Sequence, residues 1–66
     1  MKKEKLFNII HQAIEDQKRA YDFYQKTAID ISDPGIKATF ERIANTELSH
    51  AEVLRKIYGD LRDLTS

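Results

Sequence analysis

Glu47 and His50 are the two residues of the chain whose types and spacing best suit chemistry. Three positions apart on an α-helix, they project from one face about a turn from each other. A carboxylate and an imidazole placed so can ligate a metal ion or bond each other as a polar pair. Glu-x-x-His alone is weak evidence, because such pairs usually belong to a solvated helix face. The row around it is more telling. Ile36, Phe40, Ile43, Glu47, His50, Leu54, Ile57 and Leu61 step alternately by 4 and 3, the spacing of a helix–helix seam. Only Glu47 and His50 in that row are not apolar. Ionisable groups in a buried seam must be paired, hydrogen-bonded or metal-bound.

The elements that must position this pair follow from the same periodicity. From Lys3 to Asp30 there is no Gly or Pro, and Leu6, Ile10, Ala13, Gln17, Ala20, Tyr24, Thr27 and Ile31 form a second seam. Phe7, Ile14, Tyr21 and Ala28 widen its stripe, while His11 lies in a polar row and reads as solvated. The chain breaks at Ser32-Asp33-Pro34-Gly35, where Asp33 can cap a helix and Pro34 suits its first position. This predicts a single unit: one helix over about 3–31, a turn at 32–35, a second helix over about 35–58 stopped at Gly59, and a short tail over 59–66. The fold class is all-α, an antiparallel helical hairpin. Folding back at the turn sets Gln17 level with His50, so the one polar residue in the middle of the first seam meets the two of the second. Two helices cannot enclose a seam, but two hairpins can. The expected object is a homodimeric four-helix bundle with two copies of Gln17, Glu47 and His50 in a central layer.

Length and composition agree with a need for outside support. Sixty-six residues build a small core, and such chains commonly rely on disulfides, a metal or a partner. With no cysteine, disulfides and thiolate zinc sites are excluded, and a reducing compartment fits. Eleven basic residues balance eleven acidic ones, and neither outer face is strongly basic, so nucleic acid is not an expected partner. No apolar run approaches the roughly 18 residues of a membrane span. The N-terminal Met1-Lys2-Lys3-Glu4-Lys5 lacks the apolar block of a signal peptide. A cytoplasmic location is the expectation.

Two stretches carry a resemblance. Ala13-Ile14-x-x-Gln17-x-x-Ala20-x-x-Phe23-Tyr24, followed by Phe40-x-x-Ile43-Ala44-x-x-Glu47-x-x-His50-x-x-Val53-Leu54, resembles the first helix pair of ferritin-like, rubrerythrin-type di-iron carboxylate proteins. The likeness covers roughly residues 6–58. It implies a ferritin-like bundle with metals between a Glu from each of two helices and a Glu-x-x-His from each of the other two. Short members of that superfamily, such as the cargo of encapsulin compartments, carry one helix pair per chain and complete the site by dimerisation. The implied partners are a second copy and, beyond it, a higher oligomer or an encapsulating shell. The implied ligands are Glu47 and His50, and the implied chemistry is ferroxidase-type oxidation of ferrous iron by dioxygen or peroxide.

One departure falls on the site. Gln17 stands where the family has its first-helix Glu, and Glu15 and Asp16 lie on other faces. Two Glu47 carboxylates set −2 against the +4 of two divalent cations, a surplus in a low-dielectric core. Weaker binding follows, with one or two ions per dimer and Gln17 offering a neutral amide oxygen. Mixed carboxylate and imidazole ligation suits iron, manganese or zinc better than magnesium or calcium. Tyr21 and Tyr24 stand near the layer as core aromatics in its surroundings. Ala13, Ala20, Ala44 and Ala51 permit close helix approach or leave room for ions. Ile9, Phe23, Leu48 and Val53 fall outside the seams and hint at a second interface. The competing reading is a metal-free structural or interaction bundle with a buried Gln–Glu–His network.

Overall fold

The computed structural model describes residues 2–65, as two helices and no strand. Helix α1 spans Lys3–Asp30 and helix α2 spans Pro34–Thr65. They pack antiparallel as a hairpin about 49 Å long. Neither is long and apolar enough to cross a membrane.

The turn forms as its residue types dictate. Ile31 leaves the helix in an extended conformation, its N–H reaching back to the Ala28 carbonyl at 3.3 Å. Asp33 then caps α2: its Oδ1 accepts the Ile36 N–H at 2.9 Å, and its carbonyl accepts the Lys37 N–H at 2.9 Å. Pro34 takes the first helical position, where no N–H is needed. At the other end, α1 begins after Lys2 without a side-chain cap, and Glu4 in its first turn favours the positive end of the helix dipole.

The two helices meet along a narrow strip. Ala44 and Ala51 of α2 are 0% exposed, and Ile10, Ile14 and Ala28 of α1 are buried against that helix. Small side chains at 44 and 51, two turns apart, let the backbones approach closely. Aromatic pairs close the strip toward both ends, Phe7 with Tyr58 at 5.1 Å and Tyr24 with Phe40 at 6.0 Å between ring centroids. These pairs set the level of one helix on the other close to that predicted by folding at Asp33–Pro34.

Two features differ from the sequence reading. First, α2 does not stop at Gly59 but continues to Thr65. Gly59 keeps an ordinary negative φ, and a Lys56–Asp60 ion pair at 3.2 Å spans it. The extension also has a surface to lie on: folded at the turn, residues 61–64 are level with the first turn of α1, and Leu61 is half-buried. A glycine in a helix costs about 1 kcal/mol against alanine, which lowers stability without enforcing an end. Second, the strip facing α1 is the row of Ala44, Leu48, Ala51 and Tyr58, so Leu48 belongs to the contact instead of lying outside it. The row with Glu47 and His50 is rotated to one side. Ile36 is 53% and Ile57 42% exposed there.

Candidate metal centre

Rotation by 100° per residue fixes where each candidate lies. On α2, Glu47, His50, Leu54 and Ile57 follow the Ala44–Ala51 strip on one flank. On α1, Ala13, Gln17, Ala20 and Thr27 flank Ile10, Ile14 and Ala28 on the same side of the hairpin, because antiparallel helices reverse the sense of rotation. Gln17 thus lies at the edge of the contact strip, with Glu47 and then His50 farther round on the same side of the hairpin, toward the face that α1 and α2 leave open. Around them stand Phe40, Ile43 and Leu54, all half-buried, with the more exposed Ile36 and Ile57 toward the ends.

Burial grades across that face. Gln17 is half-buried and its Oε1 is fully enclosed, yet no hydrogen-bond partner reaches it among the described residues. An orphaned buried acceptor costs about 1–3 kcal/mol. Glu47 is half-buried and His50 is exposed. The ion pairs Lys18–Glu15, Arg19–Asp16 and Lys56–Asp60 all lie elsewhere on the surface, so none neutralises Glu47. Glu47 is the only acid in its row.

A single hairpin therefore offers one carboxylate, one imidazole and one amide oxygen. Among the described residues no group of three His, Cys, Asp or Glu is gathered to hold a metal ion. That is half of a donor set: metals bound by such groups take four to six donors as a rule. The orphaned Gln17 Oε1 nonetheless fits a ligand role, being a desolvated oxygen with unspent lone pairs. Of the neighbouring residues, Tyr24 stacks on Phe40, and Tyr21 is half-buried. Ala44 and Ala51 serve helix approach, whereas Ala13 and Ala20 are half-buried on the open face. His11 is exposed, as its polar row predicts.

Against known proteins, a family profile described as Rubrerythrin matches residues 1–62. No curated protein and no solved structure matches the chain.

Proposed function

Because the chain belongs to the rubrerythrin family, a ferritin-like family of iron-binding proteins, we propose that two copies join through the open lateral face and bind iron in a shared central layer. The observation that carries this reading is the buried, unpartnered Gln17 Oε1 on the same side of the hairpin as Glu47 and His50. In this arrangement Glu47 of each copy supplies negative charge, His50 a neutral imidazole nitrogen, and Gln17 an amide oxygen. Ile36, Ile43, Leu54 and Ile57 seal the layer from water above and below. Two Glu47 carboxylates balance one divalent cation; a second ion needs added hydroxide or another anion. Bound iron would supply one-electron exchange with dioxygen or peroxide, a ferroxidase-type activity. The protein's part is to collect the donors, set their charge and keep bulk water out.

Thermal melting with and without ferrous iron, manganese or zinc tests the reading, combined with native mass spectrometry for stoichiometry. Ligands that bind only the folded state raise the midpoint, by an amount growing with free ligand over Kd. The expected result is a raised midpoint and one ion per two chains. A second reading, a metal-free bundle with a Gln–Glu–His hydrogen-bond network, is favoured by the neutral Gln17 in place of a carboxylate. A dimer whose midpoint no metal moves would establish that reading in place of the first.

A further inference from the structure

On the side of the hairpin turned away from Glu47 and His50 lies a cavity of about 200 Å³, lined by His11 and Ile14 of α1 and by Arg55, Tyr58, Gly59 and Arg62 of α2. We propose that this cavity is a binding site for a small oxyanion, of the phosphate or carboxylate class. The inference needs neither the metal nor the second copy.

Charge is the first observation. The lining holds two guanidinium groups and an imidazole and no carboxylate, in a chain whose eleven basic and eleven acidic residues balance overall, and of the two arginines Arg62 already has a partner within the molecule. Two further clefts have mixed linings, one with Lys5 and Asp16, the other with Lys37 and Glu41. Arg55 makes no ion pair among the described residues. Guanidinium groups present paired N–H donors that match the oxygens of phosphate or carboxylate, and Tyr58 and His11 add polar edges.

Gly59 is the second observation, and it is independent of the first. Its φ is not positive, and a Cβ built there would meet nothing within 4 Å. Neither backbone conformation nor crowding within the chain calls for a glycine, although it weakens the helix. It sits in the cavity wall between Arg55 and Arg62, one turn from each, and keeps that wall open. What uses the opening is therefore outside the chain. A second copy is a poor occupant, since a twofold axis would set two cationic linings against each other. A small anion meets no such repulsion. With partly exposed donors, its affinity is on the order of millimolar and falls with salt.

The test is an amide NMR titration of the metal-free chain with sodium phosphate, and separately with sodium acetate, at ionic strength held constant with sodium chloride. Saturable shifts confined to the amides of residues 55–62 and to His11 are expected with phosphate. Saturation by acetate as well assigns the site to oxyanions in general, and silence with acetate assigns it to phosphate. Arg55→Ala should weaken binding about tenfold, equivalent to ~1.4 kcal/mol. Gly59→Glu places a carboxylate within reach of both arginines, so it should abolish binding while raising the melting midpoint, which shows that the fold is intact. Absence of saturation overturns the proposal. So do shifts that sodium chloride alone reproduces, or shifts that survive both substitutions.

Discussion

In the proposed centre Gln17 would set the charge balance, because it is neutral where a carboxylate would be anionic. Its Oε1 is already desolvated, so a Gln17→Glu chain buries an anion with no partner in the metal-free state. That should lower the metal-free melting midpoint, with a penalty of several kcal/mol if the carboxylate stays ionised. Metal reverses the sign. An added carboxylate from each copy should tighten divalent-ion binding by about tenfold or more and permit a second ion per dimer. Melting curves of both forms, with and without metal, check the crossing. Equal metal responses would show that residue 17 does not face the ion. A contrasting position is Ala51, which is fully buried between the backbones. Ala51→Leu should cost about 1–3 kcal/mol or more by forcing the helices apart, measurable by urea unfolding.

At the scale of the helix, the ends matter more than the middles. Asp33 supplies the only acidic cap at the turn, so Asp33→Ala should lose about 1 kcal/mol, read from the denaturation midpoint. Gly59→Ala should gain about 0.5–1 kcal/mol by the same measurement, since its Cβ meets nothing. These two positions also mark how far residue types alone define the fold. Asp33-Pro34-Gly35 declares a turn through specific local chemistry: a capping carboxylate and a ring that fits the first helical position. Gly59 carries no such chemistry, and α2 continues past it through the Lys56–Asp60 ion pair and the packing of Leu61 toward α1. The same division holds for the site. The alternation of 4 and 3 revealed that Gln17, Glu47 and His50 belong to apolar rows. It could not say which of two adjacent rows meets α1, because Ala44 and Ala51 are small enough to be passed over in an apolar count. Only packing exposes that choice, and with it the fact that His50 faces outward from a single hairpin.

The whole molecule is short of interior. Among the described residues the buried apolar set is Ile10, Ile14, Ala28, Ala44 and Ala51, of which only the two isoleucines are large. Each contributes on the order of 1.5–3 kcal/mol, little against the ordering of some sixty residues. Meanwhile Ile9, Phe23, Ile36, Val53 and Ile57 remain exposed. Association should therefore stabilise the fold, and the melting midpoint should rise with protein concentration. Ile57→Lys, on the open face, should shift light-scattering mass toward the monomer and lower the midpoint. Ile29→Lys, an exposed position on the opposite flank of the hairpin, should do neither. An unchanged mass in Ile57→Lys would place the contact elsewhere.

Pro34 has one more effect. Hairpins with so short a link can straighten at the bend and trade arms with a neighbour, joining both segments into a single rod. Proline disfavours helical geometry in the residue before it and has no N–H to continue the ladder. A continuous helix through Asp33 and Pro34 would therefore cost about 3 kcal/mol, which favours pairing between folded hairpins that each keep their own arms.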